Sequence, residues 1–99
     1  MPTEFEQLRS RLRARKVKVR LVHSRQLRDF AGMNDEAARK FGFRKLKDKT
    51  ILIDKNLSAK TKVRTLRHEV IEMDLMEKKK YPYWKAHKIA LREERHKLK

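Results

Sequence analysis

Acids and histidines sit among the apolar residues of two helical stretches in the second half of the chain. Their placement constrains the fold more than any other feature. At roughly 100° per residue, His87 and Glu94 lie two turns apart, in the middle of the arc spanned by Tyr83, Trp84, Ala86, Ala90 and Leu91. Lys85, Lys88, Arg92 and Arg95 fall on the opposite side. One helix earlier, His68 and Glu72 lie side by side between Leu75 and Met76, with Glu69 next to them. Burying a carboxylate without a partner is costly, so Glu94 takes His87 as its natural neighbour. His68 and Glu72 need a partner in the same way. A short break at Tyr81-Pro82 makes the two helices antiparallel neighbours. The pattern therefore predicts that they pack face to face, with the His68/Glu72 pair within reach of His87/Glu94.

The chemistry of such a meeting is specific. Two imidazoles and one carboxylate, with water in the open position, describe a catalytic zinc site. His68, Glu72 and His87 are the expected metal ligands, and the expected cofactor is a divalent metal, zinc first. Glu69, just beyond the metal, is the expected general base for that water. Glu94 has two readings. It accepts a ring N–H of His87 and fixes its tautomer, or it is a fourth ligand and closes the site. Either helix alone also reads as ordinary structure: a satisfied core histidine, or an i,i+4 helix pair. A buried polar network is thus the alternative to a metal centre.

Composition narrows the remaining choices. With 99 residues and only two Gly and two Pro, the chain should be mostly regular structure around one modest core. It contains no Cys, which excludes disulfides and thiolate metal sites. No apolar run reaches membrane-spanning length and the start is not a secretory signal, so an intracellular, cytoplasmic protein is expected. Abundant Lys, Arg and Glu with few Asn and Gln suits a hyperthermophile. Lys and Arg number 29 against 13 Asp and Glu, a formal net charge of +16. Such a charge attracts polyanions, nucleic acid foremost. The candidate phosphate contacts are Arg9, Arg11, Arg13, Arg15, Lys16, Lys18 and Arg20. On a helix alternate arginines point in different directions, which favours non-specific contact over sequence reading. A core this small would gain from a partner, so a dimer is open, although no interface pattern is visible.

Read along its length, the chain predicts one α+β domain over residues 1–99, with a sheet of two or three strands and four or five helices. Thr3 caps a helix from Glu4 to Arg15, with Phe5, Leu8 and Leu12 inward. Lys16 to Leu21 alternates as a strand with one wet face. Ser24 caps a short helix from Arg25 to Ala31, stopped by Gly32, and Asn34 caps another from Asp35 to Phe41, stopped by Gly42. Phe43 to Leu46 pairs with the strand Thr50 to Asp54 as a hairpin. Ser58 caps a long helix from Ala59 to about Lys78. Pro82 opens the last helix, which runs to about His96. The basic helix and strand occupy residues 3–22, and the metal-site core about 50–96.

The arrangement Leu66-Arg67-His68-Glu69-Val70-Ile71-Glu72, preceded by the strand Thr50 to Asp54, resembles a compact zincin-type metallopeptidase core. That core has an edge strand, a short connection and a helix bearing His-Glu-x-x-His. The resemblance implies His68 as first ligand, Glu69 as general base and Glu72 at the second-ligand position. Glu in place of His there makes the site harder and more tolerant of other divalent metals. The spacing Tyr83-x-x-Ala86-His87-x-x-Ala90-x-x-x-Glu94 is similar to a pattern in uncharacterised proteins of phages, archaeal viruses and plasmids, where it follows a His-Glu-x-x-Glu helix. The likeness spans Thr50 to Glu94. It implies a small metal-dependent hydrolase of a mobile genetic element, peptidase-like, with an extended peptide added to the edge strand. A basic nucleic-acid-binding protein, or a metal-dependent nuclease or toxin, is the competing expectation.

Overall fold

A computed structural model describes residues 2–27, 30–41 and 49–94. Thr3 opens the first helix, α1 (Glu4–Ala14). Its hydroxyl accepts the Glu6 amide at 3.1 Å and donates to the Glu6 carboxylate at 3.2 Å, which satisfies one of the orphan amides of the first turn. Phe5, Leu8 and Leu12 are buried, as their spacing predicts. The helix closes with the Val17 amide bonded to the Leu12 carbonyl, while Lys16 adopts a left-handed φ of 64°.

The chain then enters β1 (Lys18–Val22), the first of three strands. β2 is the short segment Gly32–Asn34 and β3 is Thr50–Asp54. The sheet order is β1-β3-β2, with β1 parallel and β2 antiparallel to β3. Thr50 to Asp54 is therefore the central strand, and the expectation of an edge strand there is wrong. The physical reason lies in its composition. Thr50-Ile51-Leu52-Ile53 is apolar on both faces, and such a strand is stable only where both faces are covered.

Both faces are covered. Ile51 and Ile53 join Val17, Val19, the inner face of α1 and Val63, Leu66, Val70 and Met73 of α3 (Ala59–Lys78) in one core cluster. Leu52, pointing the other way, packs with Val22, Leu27, Met33, Tyr83 and the alanines of α2 (Asp35–Phe41) in a second. This explains a departure in β1, where Leu21 is exposed and Val22 is buried against the second cluster. The single wet face expected of that strand does not hold to its end.

Other boundaries are corrected or kept. Instead of a helix from Arg25 to Ala31 there is a 3₁₀ turn, Ser24–Leu27, and Gly32 begins a strand rather than ending a helix. α2 and α3 span the predicted residues, and the Ser58 hydroxyl caps α3 by accepting the Thr61 amide at 3.2 Å. α4 (Tyr83–Glu93) follows Pro82 at the N-cap position. The proposed hairpin strand Phe43 to Leu46, Gly42 and the end of the last helix at His96 lie outside the described residues. The α+β class stands: among the described residues there are four α-helices and a mixed three-stranded sheet. No helix among those residues is long and apolar enough to cross a membrane.

Candidate metal centre

α3 serves three neighbours at once. Leu66, Val70 and Met73 face the sheet, the line Thr65–Glu69–Glu72 faces β2, and His68 and Glu72 face α4. The α3–α4 pairs include His68 with Glu94, and Glu72 with His87. Later residues of one helix meet earlier residues of the other, so the two are antiparallel, as predicted.

Three ligand atoms converge between them. His68 Nε2 lies 3.0 Å from Glu72 Oε2 and 3.1 Å from His87 Nδ1, and His87 Nδ1 lies 2.9 Å from Glu72 Oε2. Among the described residues, His68, Glu72 and His87 form a group that can hold a metal ion. Ligand atoms bonded to tetrahedral zinc are about 3.3 Å apart, so this near-equilateral triangle needs to open by only a few tenths of an ångström. Glu72 is fully buried, and the His87 side chain retains 30% of its exposure, which leaves one side approachable.

Glu94 is close to the triangle but not where expected. Its Oε1 is 3.5 Å from Nδ1 of His68, not of His87. A two-turn drop along α4 carries it past its own histidine to the opposite helix. A carboxylate there favours a proton on His68 Nδ1, the tautomer that would leave Nε2 free for a cation.

The remaining two contacts were not legible as site residues. Asn34, fully buried at the end of β2, donates from Nδ2 to Glu69 Oε1 at 2.9 Å and to Glu72 Oε1 at 3.1 Å. Its Oδ1 accepts the Ala37 amide at 2.9 Å and caps α2, the role the sequence suggested. The Tyr83 hydroxyl lies 3.3 Å from His87 Nδ1, and its ring stacks on the His87 ring. Two residues of the expected apolar arc depart from it. Trp84 and Leu91 are 63% and 53% exposed, because α4 packs chiefly on α3 and buries only its Tyr83–Ala86–Ala90 side.

The electrostatics follow from crowding acids in a dry place. Burial and then the neighbouring Glu72 charge push the Glu69 carboxyl up to about 8, against the opposing pull of His68 and Asn34. Burial alone would lower His68, but its Glu72 hydrogen bond and the charges of Glu69, Glu72 and Glu94 outweigh that and raise it. Burial, with Glu72 and Glu69, raises Tyr83 and keeps its hydroxyl neutral. Three carboxylates and two imidazoles in one pocket call for positive charge, and protons or a cation can supply it. The residues fit a divalent cation by donor type and spacing.

A cavity of about 200 Å³ adjoins the cluster, lined by Phe30, Met33, Thr65, Glu69, Tyr83 and His87 among others. The predicted polyanion contacts lie elsewhere. Arg11, Arg13, Lys16, Lys18 and Arg20 are exposed, and Arg15 is paired with Asp74 at 3.1 Å. Arg9 is partly buried, with its Nε enclosed and without a hydrogen-bond partner.

Fold and cluster together define an α+β protein whose buried His68–Glu72–His87 group can hold a metal ion. No protein-family model, curated protein or solved structure matches the chain.

Proposed function

We propose that the protein is a small zincin-like, metal-dependent hydrolase acting on a carbonyl bond, peptide-like in class, with zinc as the metal. One observation carries the reading. His68 Nε2, His87 Nδ1 and Glu72 Oε2 lie within 3.1 Å of one another, beside a buried carboxylate and an open cavity. A bound zinc would supply Lewis acidity and a lowered pKa for water.

The chain's own groups do the rest. Glu69, held by Asn34, would be the base that takes the proton from the attacking water, in the ionised form that a cation beside it favours against burial and the Glu72 charge. Glu94 holds the His68 ring. With His87 Nδ1 serving as a ligand, the neutral Tyr83 hydroxyl beside it would be free to donate to charge developing on the substrate oxygen. The charge of the pocket supports a carbonyl over a phosphodiester. Its lining includes Glu69, Glu72 and Glu94, and among the described residues no Lys or Arg. Phosphoryl transfer relies on such cations to clamp the substrate. Phe30, Met33, Ala37 and Tyr83 on the walls suit a small apolar side chain.

The test joins metal content to turnover. Untagged protein should carry about one zinc per chain, lost in His87→Ala and kept in His23→Ala. Glu69→Gln should retain the metal and lose cleavage of a mixed peptide library. Retained cleavage in Glu69→Gln refutes the base, and absence of metal after zinc soaking refutes the centre.

A further inference from the structure

Among the described residues, three non-glycine residues adopt left-handed backbone, and all three are lysines: Lys16 (φ 64°), Lys49 (φ 59°) and Lys80 (φ 57°). All three also lie at one end of the molecule. Lys16 follows α1 and Lys80 follows α3, each at the turn that closes its helix. The Arg15–Asp74 ion pair ties the end of α1 to the last turns of α3. Lys49 directly precedes β3, and its carbonyl accepts the Lys18 amide at 2.9 Å, beside the start of the parallel strand β1. Lys18, Lys78 and Lys79 are exposed at this same pole.

Glycine takes left-handed backbone without cost, whereas a residue with a Cβ does not. A cation near a helix C-terminus recovers part of that cost through the macrodipole, but less than the backbone loses. Among the described residues no helix ends at Lys49, so that compensation is assigned to Lys16 and Lys80 alone. Local stability therefore does not explain lysine at these three positions, while a use for their charge does.

We infer that this pole is a docking surface for the phosphate backbone of nucleic acid, with Lys16, Lys49 and Lys80 as its centre. Six lysines drawn from three chain segments, 16–18, 49 and 78–80, form a broad cationic end, and none of the described residues there builds a groove-filling element. That geometry suits phosphate contact rather than base reading. The net charge of +16 supplies long-range attraction, and the pole supplies the place. The inference is independent of the metal centre and of the reaction proposed for it.

Binding of a short mixed-sequence DNA duplex, followed by fluorescence anisotropy across a salt series, tests it. The triple variant Lys16→Gly, Lys49→Gly, Lys80→Gly should weaken low-salt binding by at least about tenfold and make the logarithmic salt slope shallower by about 2.7. The same variant should melt no lower than the parent, because glycine relieves the backbone. If it melts lower, the Lys→Gln triple at the same positions carries the test instead. The control is Lys55→Gln, Lys60→Gln, Arg64→Gln at the opposite end, where β3 finishes and α3 begins, with the same loss of charge. An equal loss of affinity in the control overturns the inference. So does a parent that ignores duplex DNA, or one that prefers phosphatidylserine vesicles.

Discussion

Asn34 ties three parts of the structure together with one side chain. Its oxygen caps α2 and its nitrogen bridges Glu69 and Glu72. The Glu72 oxygen it holds is the one turned away from the histidines, so Asn34 fixes which oxygen faces the cluster. Replacing it with Ala removes a helix cap and leaves two buried carboxylate oxygens without that donor. The expected loss is about 3 kcal/mol in urea unfolding. Asn34→Asp separates the two roles. It keeps the capping acceptor but sets a third carboxylate against Glu69 and Glu72. Metal-free Asn34→Asp should thus lose more stability at alkaline than at acidic pH, and equal losses across that range would argue against the bridge. The sequence identified the cap because Asn before an amphipathic run is a local signal. It could not identify the bridge, whose partners lie 35 and 38 positions away.

Among the elements, the long periodic helices were legible and the short strand was not. α3 and α4 follow from caps and apolar spacing over many residues, so their facing of His68 and Glu72 toward His87 could be read in advance. β2 has three residues, too few for any alternation, and its Gly32 resembles a helix stop. The structure assigns that glycine a different purpose. A Cβ on Gly32 would meet Thr65 Cγ2 at 2.8 Å, Glu69 Cγ at 3.1 Å and Ile53 Cδ1 at 3.2 Å. Glycine lets β2 approach α3 closely enough for Asn34 to reach both acids. Gly32→Ala should cost about 1–3 kcal/mol by overpacking and lower turnover by moving Glu69. Adding Thr65→Ser removes the nearest clashing atom, so the double variant should recover part of the loss. A strictly additive double variant would show that the strand–helix approach is not the cause.

At the scale of the whole molecule, an excess of cations surrounds a pocket whose own charge is negative, and the pocket makes folding sensitive to pH. Glu69 keeps its proton up to about 8 in the folded chain, whereas its ordinary value is 4.5. Between those values the folded state binds more protons than the unfolded state, so stability falls as pH rises. His68, raised above 6.5, acts in the same direction: its contribution is complete below that value and is lost above the raised one. The metal-free chain should therefore unfold at a lower temperature at pH 8 than at about pH 5.5. A divalent cation reverses the preference, because its ligands must give up their protons to bind it. Saturating zinc should raise the melting temperature more at the alkaline end, by a margin that grows with the logarithm of its concentration. Glu69→Gln isolates the main contributor. It leaves an amide oxygen for Asn34 but no titrating group, so the metal-free pH slope should flatten while the zinc increment persists. A slope unchanged by Glu69→Gln would place the proton elsewhere. Melting that ignores zinc at every pH would leave the buried acids to be neutralised by protons alone, as a polar network between two helices.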